Sequence, residues 1–289
     1  MKDIVMTQKE FESHLKIPEG KSGRWRIEHK VTPARIPITV ISMRTALFSF
    51  EGKKPLKIRY DVPKTYHHLK YDDGIIMSDV PQEVYDQIAI AKKCTGRVLV
   101  GGLGLGHIAT LLNNKKTIKQ ICIVEKSKDV INLVWRYLNL EKAQLICEDI
   151  SEYLKISKTQ FDYIYFDTWT GDNEATLYDT VIPLRRLARR LVESRDRILC
   201  WREDVMRGQL KIGLMTKIQF PDALKEIREM PREQFRNTFG GFNKVQYPFW
   251  NWVREEKVNQ DKALKEIGAY VELYGEPEWD EKWKKWRDG

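Results

Sequence analysis

The chain has 289 residues, with 50 Lys and Arg against 41 Asp and Glu, a net charge of +9, and it is 42% hydrophobic and 31% charged. This composition is ordinary for a globular protein that buries a core without covalent staples, and the chain contains no internal repeat or low-complexity tract. No stretch approaches the ~18 apolar residues of a membrane helix, and the N-terminus lacks the apolar run of a signal peptide. We therefore expect a cytoplasmic protein with no membrane partner.

Four cysteines are scattered along the chain: Cys94, Cys122, Cys147 and Cys200. They have no metal-ligand spacing, and three fall inside predicted strands. We expect small core residues in a reducing compartment, and neither a zinc site nor a disulfide.

The first part of the chain is rich in β-forming residues. Segments 25–31, 36–43 and 46–52 have this composition, with turn signals at 51–52 and at Pro63. We predict an N-terminal β-rich region over residues 1–76, consisting of a small antiparallel sheet.

A helix is predicted from Pro81 to about Lys93. Asp79, followed three residues later by Gln82, has the pattern of a capping box. Ligand contact by Ser78 and Asp79 stays open as an alternative. Since adjacent histidines point in different directions, His67 and His68 do not predict a metal pair, although one could act as a general base.

The segment 97–107 predicts a strand, a tight glycine turn and the start of a helix. Residues 98–100 are apolar, and Gly102, Gly104 and Gly106 follow at alternate positions. Glycines allow the backbone angles of such a turn and let a ligand lie against bare backbone at the helix start. The alternative is an ordinary glycine turn between a strand and a helix.

A second apolar strand ends in Glu125, about 20 residues after the glycines. In a doubly wound sheet an acid at this position binds the ribose hydroxyls. Glu125 is therefore the main cofactor candidate, with a solvated acid at a strand end as the alternative.

Three further strands are predicted near 143–147, 161–166 and 197–201, with a long helix over 177–192. Asp149 follows the third strand and Asp167 follows the fourth. Strands that alternate with helices predict a mostly parallel, doubly wound α/β sheet over residues 77–205, with its ligand at the carboxyl ends of the strands.

Two features lie near or beyond the end of this core. Arg185, Arg186, Arg189 and Arg190 share a helix face, which is either solvated or in contact with nucleic acid. Residues 206–289 predict a mainly helical extension whose last tryptophans, Trp279, Trp283 and Trp286, form a docking face or else a stacking surface.

From Tyr60 to Trp201 the order of these residues resembles the class I methyltransferases that use S-adenosyl-L-methionine, and most of all the spermidine synthase branch. The resemblance implies that Gly102–Gly106 lies along the methionine part of the cofactor and that Glu125 binds the ribose. It also implies that Asp149 and Ile150 frame the adenine, that Asp167 stands beside the reacting centre, and that a homodimer is plausible.

A dinucleotide fingerprint fits less well, because His107 occupies the position of its third glycine. The chain also departs from spermidine synthases, which have acids where this chain has Leu105 and Thr170. Many methyltransferases carry an acid where it has Val100. The lack of acids at Leu105 and Thr170 counts against aminopropyl transfer.

We therefore expect a methyltransferase with a small-molecule acceptor, an amine or another cation. Asp167 would accept a proton or hold the acceptor by charge, and Trp169 would cover the pocket by cation–π attraction. Two alternatives remain: an aminopropyltransferase, and a non-catalytic nucleotide-fold module that contacts nucleic acid or protein.

Overall fold

The computed structural model describes residues 11–42, 45–46, 54–172 and 176–209, together with residues 231 and 234. The chain divides into two compact units, residues 1–207 and 208–289. Apart from residues 231 and 234, the predicted helical extension beyond residue 209, with its tryptophans, lies outside the described residues.

The N-terminal region contains six strands. They are β1 Gly20–Ser22, β2 Trp25–Thr32, β3 Ile38–Ile41, β4 Leu56–Ile58, β5 Lys64–Tyr71 and β6 Gly74–Ser78. A four-stranded antiparallel sheet has the order β1-β2-β5-β6, and β3 pairs with β4. The predicted antiparallel sheet is confirmed, although β1, β4, β5 and β6 were not among the predicted segments. Of the segment expected as a strand at 46–52, only residue 46 is described, and it is helical.

Five parallel strands form the second sheet. They are β7 Gly96–Gly101, β8 Ile118–Glu125, β9 Ala143–Cys147, β10 Tyr163–Phe166 and β11 Ile198–Cys200. Their order is β11-β10-β7-β8-β9, and every pairing is parallel. The chain leaves β7 toward β8 and β9 and then returns to β10 on the other side, so the order reverses between β7 and β10. This is a Rossmann-like sheet, as predicted, with its topological switch point between those two strands.

The helices of this region are α1 Pro81–Lys93, α2 His107–Asn113, α3 Lys128–Val134, α4 Ile150–Ile156 and α5 Ile182–Ala188. A π-helical turn over Leu177–Val181 leads into α5, and a 3-10 turn over Arg189–Leu191 follows it. The central strand β7 is buried on both faces, because Val98, Leu99 and Val100 have no exposed surface. Such continuous apolar runs are typical of central parallel strands.

The predicted capping box at α1 is wrong. The N-cap is Val80, which makes no side-chain capping bond. The Asp79 carboxylate instead accepts hydrogen bonds from the backbone N–H of His67 at 2.6 Å and from its ring Nδ1 at 2.7 Å. Asp79 is only 2% exposed, so it joins β5 to the end of β6 rather than contacting a ligand.

Arginines of this helical segment have partners inside the fold. Arg185 is buried and donates to Glu203 at 2.9 Å and to the carbonyl of Ile198 in β11. Arg190 donates to carbonyls at the end of α4, and Arg189 donates to the carbonyl of Val192. Arg185 thus links α5 to β11, and Arg190 links the turn after α5 to α4, while nucleic-acid contact stays a prediction.

One smaller expectation is corrected. Cys94, Cys122 and Cys200 are buried, but Cys147 is exposed at the end of β9, so it is not a core residue. Residues 203–209, which follow β11, are helical.

Candidate active site

A cavity of about 380 Å³ lies at the carboxyl ends of the parallel strands. It contains seven of the eight predicted site residues: Gly102, Gly104, Glu125, Asp149, Ile150, Asp167 and Trp169. The first two follow β7 and the last two follow β10, so the cavity spans the switch point of the sheet. Its volume falls within the ~300–1,000 Å³ range of small-molecule sites.

The glycine turn requires glycine at its first two positions. Gly102 has φ +93° and Gly104 has φ +51°, in the left-handed region that side chains resist. A Cβ on Gly102 would lie 2.5 Å from the backbone oxygen of Asp167. Bare backbone therefore allows the turn after β7 to pack directly on the turn after β10.

Gly106, the eighth predicted residue, is not part of the cavity wall. It is the N-cap of α2, with φ +73°, and a Cβ there would lie 2.2 Å from Cδ1 of Leu138. The spacing at alternate positions predicted that Gly106 would line the site together with Gly102 and Gly104. Its missing side chain instead leaves room for Leu138.

The Glu125 carboxylate faces the cavity and is fixed by two backbone groups. Its Oε2 accepts the N–H of Leu103 at 2.9 Å, and its Oε1 accepts the N–H of Ser127 at 2.8 Å. Because each carboxylate oxygen can accept more than one hydrogen bond, both retain a lone pair for a ligand hydroxyl. The glycine turn and the acid at the end of β8 thus form one rigid unit.

Asp149 and Ile150 form the adjoining wall. Asp149 is the N-cap of α4, where its Oδ1 accepts the N–H of Ser151 at 2.8 Å. Ile150 is buried beneath it, and a Cβ on Gly101 would lie 3.1 Å from its Cγ1. An apolar surface beside a fixed carboxylate can hold a flat ring that carries a donor group.

Asp167 lies on the other side of the switch point, where the hydroxyl of the buried Tyr165 donates to its Oδ2 at 3.2 Å. Burial raises the pKa of Asp167 to about 7, and the charge of Asp86 adds to this, while Tyr165 and Arg202 act in the opposite direction. Near neutral pH this carboxyl group can therefore both hold and release a proton.

Three more acids belong with Asp167, and we call the four together the acidic cluster: Glu83, Asp86, Asp167 and Asp172. Burial and the charge of Asp167 raise the pKa of Glu83 to about 8. Arg202 donates to Asp86 at 3.1 Å and to Asp172 at 2.9 Å, and all three side chains are at most 14% exposed. One guanidinium thus lies among four carboxyl groups.

Sequence reasoning singled out Asp167 but missed Glu83, Asp86 and Arg202. Arg202 and Asp86 are 116 residues apart. The spacing of Glu83 and Asp86, three apart at the start of a helix, was the one local signal, and it is equally typical of a solvated helix face.

The antiparallel sheet supplies a wall that the sequence did not predict. Trp25, Leu69, Ile76 and Met77 all line the cavity. Across it, the indole N–H of Trp169 is buried and has no acceptor among the described residues. A buried donor without a partner at a cavity wall suits a ligand that can accept a hydrogen bond.

The described residues offer neither a metal site nor a membrane span. In the described part of the chain, no three His, Cys, Asp or Glu side chains are grouped so as to hold a metal ion. Among the helices described, none combines the length and apolar character needed to cross a membrane.

The sequence matches no protein-family model and no curated protein. Several solved structures are similar to it. Spermidine synthase from Thermotoga maritima is 13% identical over 64% of each chain, with a TM-score of 0.33. Fibrillarin from Aeropyrum pernix, solved with natively bound S-adenosyl-L-methionine, is 16% identical over 40% of this chain and 54% of its own, with a TM-score of 0.30.

A TehB-like S-adenosylmethionine-dependent methyltransferase from Corynebacterium glutamicum is 20% identical over 38% of this chain and 57% of its own, with a TM-score of 0.29. This chain therefore spans less than two thirds of each of these proteins. These likenesses identify neither a family nor an activity for it.

Proposed function

We propose that this protein is an S-adenosylmethionine-dependent methyltransferase that acts on an amine or another cationic small molecule. The observation that supports this most is the hydrogen-bonded unit of glycine turn and Glu125 at the switch point of a parallel sheet. Bare backbone and a ribose-binding acid at this place are the recognition elements of a nucleoside ligand.

The residues fit this cofactor along its length. Gly102 and Gly104 would accommodate the methionine part, Glu125 the ribose hydroxyls, and Asp149 with Ile150 the adenine. The cofactor supplies a methyl group made electrophilic by its bond to a positively charged sulfur. The protein mainly positions the acceptor, excludes water and deals with one proton.

The charge of the acidic cluster supports a cationic or amine acceptor. When Asp167 is ionised, it adds a negative charge beside two carboxylates to which Arg202 donates. An amine that gains a methyl group must lose a proton, and ionised Asp167 can accept it. Trp169 can cover the acceptor and attract a cation through its ring face.

The same cluster gives specific support to a second candidate, aminopropyl transfer to a polyamine. The sequence argument against it is the lack of acids at Leu105 and Thr170. Glu83, Asp86 and Asp172 bring carboxyl groups close to Asp167 from other elements, and Asp167 is the member of the cluster that lines the cavity. The two reactions differ in the nucleoside they leave: S-adenosylhomocysteine after methyl transfer and methylthioadenosine after aminopropyl transfer.

The decisive experiment is isothermal titration of the wild-type protein with S-adenosylhomocysteine. Saturable binding of one equivalent is expected, and no heat at micromolar protein would overturn the proposal. Incubation with a panel of mono-, di- and polyamines, with either S-adenosylmethionine or its decarboxylated form, then identifies the released nucleoside. Methylthioadenosine as the sole product would replace the first candidate with the second.

A further inference from the structure

Met77, on the edge strand β6, lies directly on the glycine turn. Its Sδ accepts the backbone N–H of Leu105 at 3.3 Å. A Cβ placed on Gly104 would lie 2.2 Å from the same sulfur. The thioether therefore covers the stretch of bare backbone that makes this turn suitable for a ligand.

A bulge in the antiparallel sheet aims Met77 at this point. Leu69 pairs with Met77 and Lys70 pairs with Ile75, so Ile76 is an extra residue in β6. Successive residues of a regular strand point to opposite faces, yet Ile76 and Met77 both line the cavity. Bulges redirect side chains in this way and are common beside active sites.

The contact is one that a ligand can displace. A thioether is a weak hydrogen-bond acceptor, and methionine has three rotatable side-chain bonds, so the side chain can adopt another position. Glu125 and Asp149, which would bind the ribose and the adenine, have hydrogen-bond partners other than Met77. Displacement of the thioether therefore leaves the contacts of both carboxylates in place.

We propose that Met77 is a specificity-determining residue, which occupies the surface of the glycine turn that the amino-acid tail of the cofactor must contact. This inference rests on the proposed function. A ligand with the full tail must displace the thioether from Gly104 and Leu105, whereas a ligand with a truncated tail binds without doing so. Through Met77, the antiparallel sheet thus determines which 5′-thioadenosine derivatives bind in the cavity.

The test compares two ligands that share their adenosine. S-adenosylhomocysteine has the amino-acid tail, and in methylthioadenosine a methyl group replaces it. For Met77→Ala we expect affinity for S-adenosylhomocysteine to rise about five- to tenfold, because the competing contact is lost, and affinity for methylthioadenosine to change less than about twofold. Met77→Leu keeps the bulk but not the acceptor, so we expect a smaller rise with the same ligand preference.

Ile75→Ala is the matched control, since Ile75 is on the same strand but is 55% exposed and is not a lining residue. It should change neither affinity. Thermal unfolding of each variant verifies the fold, and Met77→Leu decides the question if Met77→Ala does not fold. Equal changes for both ligands, or weaker binding of S-adenosylhomocysteine, would overturn the role of Met77. Failure of the wild type to bind either ligand would overturn the proposed function itself.

Discussion

The backbone N–H of Leu103 donates to Oε2 of Glu125 at 2.9 Å, which joins the glycine turn after β7 to the last residue of β8. The two residues are 22 positions apart. The two features that predict a nucleoside site in the sequence are therefore in direct contact. A ligand that binds against the glycine turn therefore also lies beside Glu125, and loss of the carboxylate affects the turn as well as the ligand.

Replacement of Glu125 tests this unit. Glu125→Gln keeps the size of the side chain but replaces the charged acceptor of the ribose hydroxyls with a neutral amide. We expect affinity for S-adenosylhomocysteine to fall at least about tenfold, as for the loss of a charged hydrogen bond. Titration calorimetry measures this. The control is Glu141→Gln, an exposed acid at the opposite edge of the sheet, and equal affinities in the two variants would contradict the assignment.

The glycine turn can be tested by adding one methyl group. In Gly102→Ala the new Cβ would meet the backbone oxygen of Asp167 at 2.5 Å, at a φ of +93°. Because backbone cannot move aside as a side chain can, we expect a loss of about 2 kcal/mol or more and a fall in Tm of about 4 °C or more. Nucleoside binding should weaken as well.

Gly20→Ala is the corresponding control. A Cβ there lies 3.4 Å from Cδ2 of Leu133, an ordinary contact. Its Tm should change by less than about 2 °C. If scanning calorimetry gave the two variants the same Tm, the turn after β7 would not require a bare backbone.

The parallel sheet and its strand-end residues could be predicted because each depends on local sequence. Buried parallel strands are continuous apolar runs, as in Val98–Val100, and their carboxyl ends meet at one edge, so Glu125, Asp149 and Asp167 could be placed together. Gly106 shows the limit of such reasoning. Its spacing fits the turn, but its contact with Leu138 depends on how the segment after α3 folds back.

The rest of the site depends on contacts between distant elements. Met77 reaches Gly104 only because a bulge shifts the register of β6 against β5. Asp86 and Arg202 meet only after α1 and the end of β11 have packed, and neither has a local pattern that distinguishes it from a surface residue. The capping box at Asp79 failed for the same reason, since β5 offered this carboxylate a buried backbone N–H and a histidine ring.

Asp167 should make activity depend on pH near neutrality. Burial raises its pKa to about 7, so the carboxyl group is protonated below that value and ionised above it. Only the ionised form can take a proton or attract a cation. We expect kcat/KM for an amine acceptor to rise from pH 6 to pH 8 with a midpoint near 7.

Two variants separate this effect from the titration of the acceptor itself. Asp167→Asn should lose most of the activity and the midpoint near 7. Asp179→Asn alters another acid of the cavity wall, one that is exposed, and should keep the profile. An unchanged midpoint in Asp167→Asn would assign the titration to a different group.

Asp79 predicts a pH dependence of stability, because its pKa is shifted in the opposite direction to that of Asp167. Burial acts to raise its pKa, but hydrogen bonds from His67 and Ser13 outweigh this, so the net pKa is lower than usual. A carboxyl group whose pKa is lower in the folded state stabilises the protein when it is ionised. This contribution is fully present above the unfolded pKa of 3.8, and it is lost as the pH falls through the lower pKa of the folded state.

We therefore expect Asp79→Asn to destabilise the protein at pH 7 by about 3 kcal/mol, since it removes the buried charged acceptor of two hydrogen bonds, and by less below pH 4. Urea unfolding at several pH values measures the difference. Asp73→Asn is the control, because Asp73 is a fully exposed acid on the turn between β5 and β6. A cost that is the same at pH 7 and below pH 4 would mean that the charge of Asp79 has no role.

Arg202 connects the stability of the site with its chemistry. It donates to Asp86 at 3.1 Å and to Asp172 at 2.9 Å, and it also acts to lower the pKa of Asp167. In Arg202→Met two buried carboxylates lose their cation, so we expect a loss of at least about 3 kcal/mol in the free energy of unfolding. The pKa of Asp167 should rise further, which shifts the midpoint of kcat/KM above 7.

Arg202→Lys is the control that retains the charge, and it should bring the midpoint back toward that of the wild type. It should restore stability only in part, because an ammonium lacks the planar fork of the guanidinium. A midpoint that stays the same in Arg202→Met while the Tm falls would show that Arg202 only holds α1 against the turn after β10.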